Sequence, residues 1–96
     1  CPLGPWIATD ISADDLAITA RVDGEVRQSA RTSSMVRNVS TIVSWISDVM
    51  TLLPGDVILT GTPAGVSPIV AGDEVVIEIE GIGQLRNPVV AAESVA

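Results

Sequence analysis

Residues 54–65 read Pro-Gly-Asp-Val-Ile-Leu-Thr-Gly-Thr-Pro-Ala-Gly, and the rest of the 96-residue chain is best understood around this stretch. Pro54-Gly55 is a turn pair, and the apolar residues Val57–Leu59 that follow it favour a β-strand. The apolar run stops abruptly at Thr60. The sequence therefore predicts a strand that delivers a polar tip.

The tip consists of Thr60, Gly61, Thr62 and Pro63, which present two hydroxyl groups together with glycine-exposed backbone. Glycine permits positive φ and the close approach of another group, whereas proline fixes φ and removes one donor. The tip should therefore be stiff and suited to binding an anion such as a carboxylate or an enolate. The alternative is that both threonines are ordinary strand and turn residues.

Length and composition indicate one small, sheet-rich unit. A chain of 96 residues buries only about 60% of its unfolded surface, so it is expected to need a partner surface. Hydrophobic residues make up 47% of the chain but only two residues are aromatic, so the core must be built from aliphatic side chains. The many β-branched residues among them favour sheet.

The charge balance argues against two classes of partner. Twelve acidic residues against five basic ones give a net charge of −7, which repels phosphate backbones and anionic lipid. Nucleic acid and membranes are therefore not expected as partners, and no apolar run is long enough for a spanning helix. The single cysteine, Cys1, cannot form an internal disulfide, and nothing points away from the cytoplasm.

The residue inventory limits the chemistry that this chain can perform. It contains no histidine, lysine or tyrosine, so nucleophile–histidine pairs and Schiff-base chemistry are excluded. Carboxylates, hydroxyls, arginine and backbone amides remain. The carboxylate pair Glu78 and Glu80 has the spacing of a possible metal site, but its alternation along a strand favours a structural interpretation. Asp56 and Asp73 each follow a glycine, where turn hydrogen bonding is a sufficient explanation.

Periodicity predicts the remaining elements. Alternation around Asp23-Gly24 predicts a hairpin of strands Leu16–Val22 and Glu25–Ser29, and two later strands are expected over Glu74–Glu80 and Gln84–Val90. Arg27 and Gln28 on the second strand are interpreted as solvated residues, with substrate contact as the alternative.

One amphipathic helix is predicted between Ser33 and Leu53, with Asn38 as its N-cap. We expect its apolar face to pack against the sheet; that face carries Val39, Ile42, Val43, Ile46 and Met50. The predicted fold class is mainly β (α+β), as a mixed β-sandwich or roll with one amphipathic helix.

Five blocks stand out in the sequence by their order and spacing: Gly4-Pro5-Trp6-Ile7, Gly24-Glu25-Val26-Arg27-Gln28, Thr32-Ser33-Ser34-Met35, residues 54–65, and Gly81-Ile82-Gly83-Gln84-Leu85-Arg86-Asn87-Pro88. Together they cover nearly the whole chain, and they resemble the fumarylacetoacetate hydrolase family. The branch that looks most similar contains 2-hydroxyhepta-2,4-diene-1,7-dioate isomerases and acylpyruvases.

The resemblance implies that residues 1–96 are the C-terminal portion of a catalytic domain. It implies a cytoplasmic enzyme of aromatic catabolism, expected to be a homodimer, which acts on 2-oxo or enol dicarboxylic acids through an enolate stabilised by Mg²⁺ or Mn²⁺. The metal ligands are expected upstream of Cys1, so the fragment alone should be inactive. By motif position Thr60 and Gly61 match the family's substrate-binding Thr-Gly, and Thr62 is included with them.

Arg31 and Ser67 depart from the usual family pattern, and this leaves the substrate class undetermined. The alternative to an enzyme is a non-catalytic β-rich assembly module whose acidic surface and helix serve only association.

Overall fold

The computed structural model describes residues 1–93 and contains one antiparallel sheet and one α-helix. The domain that the sequence predicts covers residues 1–96, and its last three residues, 94–96, lie outside the described residues. The strands have the spatial order β2-β1-β3-β4, and a short 3-10 turn, Thr32–Ser34, follows β2. The elements are β1 (Ala17–Val22), β2 (Glu25–Arg31), α1 (Val39–Val49), β3 (Glu74–Ile79) and β4 (Gly83–Pro88).

The first hairpin confirms the prediction from Asp23-Gly24. Both turn residues have positive φ, +50° at Asp23 and +81° at Gly24, as a tight hairpin turn between twisted strands requires. The register of β2 on β1 shifts where Ala20 pairs with Gln28 and Arg21 pairs with Val26. One extra residue, Arg27, is therefore accommodated in β2 as a β-bulge.

Strands β3 and β4 also form where alternation predicted them, although β4 ends at Pro88, two residues before the predicted end. The register places aliphatic side chains opposite one another on one face of the sheet: Ile18 with Ile79, Ala20 with Ile77, and Val22 with Val75. Among the described residues, the hydrophobic side chains that are almost fully buried are Ala20, Val22 and Val76.

The helix begins as predicted but does not pack as predicted. Asn38 is the N-cap, and its Oδ1 accepts a hydrogen bond from the backbone N–H of Thr41 at 2.8 Å. No residue of α1 is buried: Val39, Ile42 and Ile46 are half-buried, Val43 is 40% exposed, and Met50, just after the helix, is 58% exposed. The apolar face is only partly covered, so the expectation that it packs against the sheet was wrong for the described residues. Periodicity defines which face is apolar, but it does not define what covers that face.

The strand predicted over Val57–Leu59 is also absent. Residues 56–70 contain no regular element, and within residues 1–93 no strand pairs with 57–60. Val57 and Leu59 are exposed while Ile58 is half-buried. The segment therefore alternates as an extended chain does, but it lacks backbone hydrogen bonds to a neighbouring strand. A strand requires hydrogen bonds to a neighbouring strand as well as β-preferring residues, and only the residues could be read from the sequence.

The fold class, mainly β with one helix, is confirmed, with the described residues forming a single antiparallel sheet. Among the described residues, none of the helical segments has the length and apolar character needed to cross a bilayer.

The N-cap of α1 provides a test of this description. Replacing Asn38 with alanine removes the acceptor for the Thr41 N–H and should lower the free energy of unfolding of the full-length protein by about 1 kcal/mol. Asn38→Asp, which keeps an acceptor, is the matched control and should stay within a few tenths of a kcal/mol. Urea denaturation measures both values, and equal stabilities of the two variants would contradict the cap.

Candidate functional site

The polar tip is attached to the sheet by one side chain of β2. The Nε2 amide of Gln28 donates hydrogen bonds to Thr62 Oγ1 and to the Pro63 carbonyl oxygen, each at 2.7 Å. An amide nitrogen carries two hydrogens, so both are used. The tip is therefore held at two adjacent residues even though no strand within residues 1–93 pairs with it.

A second contact lies just beyond the tip, where the backbone of Gly65 lies directly against that of Arg27. A Cβ at Gly65 would overlap the Arg27 carbonyl oxygen, and Gly65 has a φ of +106°. The Arg27 guanidinium donates from Nη1 to Ser67 Oγ at 2.6 Å and to the Pro68 carbonyl at 3.3 Å. The bulged part of β2 thus holds residues 62–68 by side chains and by close backbone contact.

This attachment places the tip at the edge of a cavity of about 480 Å³. That volume lies within the range of small-molecule sites, about 300 to 1,000 Å³. Residues 60–63 form one part of the wall, and the end of β2 with the segment after it forms another. The other residues that line the cavity are Ile18, Ala30, Arg31, Thr32, Ser34, Met35, Val36, Arg37 and Ile42.

Arg31 is an arginine of the cavity wall that is already paired. Its Nε lies 2.7 Å from Asp15 Oδ1, and its Nη2 lies 3.5 Å from Glu80 Oε2. The hydrogen bond from Arg31, with a second from the Ser33 hydroxyl at 2.8 Å, lowers the pKa of the Asp15 carboxyl, and the same pair raises the pKa of Arg31. Arg31 therefore mainly ties β2 to the segment before β1.

The carboxylates that could have suggested a metal site have structural partners. Glu78 accepts a hydrogen bond from Gln84 on β4, and Glu80 Oε2 accepts from the backbone N–H of Ala17 at 3.0 Å. Within residues 1–93 no three His, Cys, Asp or Glu side chains cluster closely enough to hold a metal ion.

The two turn aspartates have matching structural roles. Asp56 accepts from the Leu53 N–H at 2.8 Å, and Asp73 accepts from the Val70 N–H at 3.0 Å. Each closes a turn with its own carboxylate, which confirms the explanation given by the sequence.

The structure brings the three predicted site residues, Thr60, Gly61 and Thr62, to one wall of one cavity. The supporting roles of Arg27 and Gln28 were missed, because a period-2 strand pattern identifies solvated residues but not their distant partners. Gln28 and Thr62 are 34 positions apart in sequence. The one available signal was Gly65, a residue type that permits close backbone approach.

The structure is thus that of a mainly β protein with a cavity large enough to hold a small molecule. The chain belongs to the fumarylacetoacetate hydrolase family, because the family model described as fumarylacetoacetate (FAA) hydrolase C-terminal matches residues 1–90.

Two solved structures and one curated relative illustrate the similarity. A 2-hydroxyhepta-2,4-diene-1,7-dioate isomerase from Mycobacterium marinum is 64% identical with a TM-score of 0.91, over 94% of this chain and 36% of that one. A maleylpyruvate hydrolase from Sphingobium sp. SYK-6, in complex with manganese (II) ion and pyruvate, is 41% identical with a TM-score of 0.89, over 94% of this chain and 35% of that one. A 4-hydroxyphenylacetate degradation bifunctional isomerase/decarboxylase of Salmonella dublin is 45% identical over 97% of this chain and 22% of its own length.

These relatives are much longer than this chain. The chain spans 35% and 37% of two further curated relatives, from Mycobacterium tuberculosis and Methanocaldococcus jannaschii. What a whole protein of this family does therefore depends on residues beyond these 96.

The close contact at Gly65 provides a test of how the tip is held. Gly65→Ala should lower the free energy of unfolding of the full-length protein by about 1 to 3 kcal/mol more than Gly72→Ala does, because only the first substitution forces a methyl group into a backbone carbonyl. Gly72 is the matched control, since its φ of +97° carries the same left-handed strain but nothing lies within 4 Å of an added Cβ. Urea denaturation of both variants measures the difference, and equal losses would show that residues 62–68 do not lie against β2.

Proposed function

We propose that this chain is part of an enzyme that acts on 2-oxo or enol dicarboxylic acids, by tautomerisation, carbon–carbon bond hydrolysis or decarboxylation. Membership of the family supports this, as do the relatives named as isomerase, hydrolase and isomerase/decarboxylase. These reactions share the need to stabilise negative charge on an enolate oxygen. The observation that carries the proposal is the position of the tip, which is pinned by Gln28 at the edge of a cavity of small-molecule size.

The tip supplies neutral hydrogen-bond donors in this proposal. Thr62 Oγ1 accepts from Gln28, so the hydroxyl hydrogen of Thr62 is free to donate to a ligand. The Thr60 hydroxyl makes no hydrogen bond to the described part of the chain, and the φ of +96° at Gly61 turns the backbone between the two threonines. Donors fixed before the reaction stabilise a developing oxyanion at little reorganisation cost. We assign substrate binding to Thr60, Gly61 and Thr62.

The proposal includes a divalent metal ion, Mg²⁺ or Mn²⁺, and the Sphingobium relative in complex with manganese (II) ion and pyruvate supports it. A divalent ion acts as a Lewis acid on carbonyl and carboxylate oxygens. The described carboxylates of this chain do not themselves fit a metal site, because Glu78, Glu80, Asp56 and Asp73 have structural partners. We therefore assign the metal ligands to the rest of the longer protein and give this chain the role of binding and orienting the substrate.

Three further elements belong to the proposal. The relative named for 4-hydroxyphenylacetate degradation supports a place in aromatic catabolism. A cytoplasmic location is part of the same proposal. A homodimer is proposed because many large apolar side chains, such as Trp45 and Val49 at 68% exposure each, remain uncovered in the described chain. The competing hypothesis, a non-catalytic assembly module, predicts no turnover by the full-length protein.

The direct test is Thr60→Val in the full-length, metal-loaded enzyme. The substitution keeps the shape and the β-branch but deletes the hydroxyl donor. We expect kcat and kcat/KM to fall together by roughly 10²-fold, because a donor aimed at the enolate acts mainly in the transition state. Steady-state kinetics with a 2-hydroxy-2,4-dienedioate substrate measures both parameters.

Thr51→Val is the matched control, because Thr51 is exposed, lies after α1 and does not line the cavity. It should leave both parameters unchanged. If a properly folded Thr60→Val enzyme has the kinetics of the wild type, Thr60 is only a loop residue and the assignment of the tip to the substrate is wrong.

A further inference from the structure

The cavity next to the tip contains two arginines in different electrostatic states. Arg31 is paired with Asp15 at 2.7 Å. Arg37 lines the same cavity, is exposed, and has no carboxylate within 4.0 Å in the described part of the chain. The positive charge of Arg37 is therefore available to a ligand, whereas that of Arg31 is already committed.

The position of Arg37 along the chain adds to this positive potential. Arg37 directly precedes Asn38, the N-cap of the 11-residue helix α1. The N-terminal end of a helix carries a partial positive charge that favours anions nearby. No acidic residue lies in the first turn of α1 to cancel it.

The rest of the cavity wall is suited to a carbon chain. Three half-buried lining residues have aliphatic or thioether side chains: Ile18, Met35 and Ile42. The tip contributes hydroxyls and backbone but no formal charge. One cavity thus combines neutral donors, an apolar wall and one unpaired cation, and this combination matches a molecule with two polar ends joined by hydrocarbon.

We propose that Arg37 binds the distal carboxylate of a dicarboxylic 2-oxo or enol acid and so makes the site selective for dicarboxylic over monocarboxylic substrates. The inference rests on the proposed function and deepens it. The net charge of −7 on these 96 residues repels a dianion, and a local cation offsets that repulsion at the second carboxylate. Arginine is suited to this role because its planar guanidinium can bind both oxygens of a carboxylate at once.

The test compares two substrates that differ only at the distal end, 2-hydroxyhepta-2,4-diene-1,7-dioate and 2-hydroxyhepta-2,4-dienoate. Loss of the conjugated dienol absorbance is followed with the full-length, metal-loaded enzyme. Arg37→Gln should lower kcat/KM for the dioate by about 10- to 100-fold, mainly through KM, because one charge-assisted hydrogen-bonded pair is lost. The value for the monoacid should change by less than about twofold, and Arg37→Lys should recover part of the activity on the dioate.

Arg21→Gln is the matched control, because Arg21 also has no ion pair in the described part of the chain but lies on the opposite face of β1 from Ile18 and does not line this cavity. It should leave both substrates unaffected. An unchanged ratio of the two kcat/KM values in Arg37→Gln, or an equal loss on both substrates, would overturn the role of Arg37. Absence of turnover of any 2-oxo or enol acid by the wild-type enzyme would instead overturn the proposed function.

Discussion

The contact on which the site depends is the pair of hydrogen bonds that Gln28 donates to Thr62 Oγ1 and to the Pro63 carbonyl, each at 2.7 Å. Within the described chain, residues 56–70 form no strand that pairs with a neighbour. These two hydrogen bonds and the close approach of Gly65 to Arg27 therefore fix where the tip lies. The β-bulge at Arg27 contributes to these contacts, because an extra residue in a strand changes the direction in which the neighbouring side chains point. An irregular segment is thereby positioned by a regular one, which is a common way to place functional groups.

The described chain forms a well-paired sheet but only a thin core. Ala20, Val22 and Val76 are its almost fully buried hydrophobic residues, while no residue of α1 is buried. This agrees with a chain that spans about a third of the length of its relatives, since surfaces left open here can be covered in the longer protein. The proposed division of chemistry is consistent with this, because the carboxylates of Asp56, Asp73 and Glu80 accept hydrogen bonds from backbone N–H groups of the chain itself.

Local patterns in the sequence predicted the local structure. Asp23-Gly24 predicted the hairpin, Asn38 predicted the helix start, and alternation predicted β3 and β4, because each depends on neighbouring residues. The strand over Val57–Leu59 and the packing of α1 were predicted wrongly, because both require partners that no local pattern specifies. For the site, residues 60–62 could be named from their types and from the family resemblance. Gln28 could not be given its role, since its partners lie 34 and 35 positions away.

The central claim is that the tip contacts the substrate, and a crystal structure of the full-length enzyme with manganese (II) ion and pyruvate tests it most directly. The account predicts that a hydroxyl of Thr60 or Thr62, or the backbone N–H of Gly61, lies at hydrogen-bond distance, about 2.7 to 3.2 Å, from a ligand oxygen. Gln28 should still donate to Thr62 and Pro63 in that complex. A bound pyruvate with no oxygen within about 5 Å of residues 60–62 would contradict the account, since even one bridging water could not then connect the tip to the ligand.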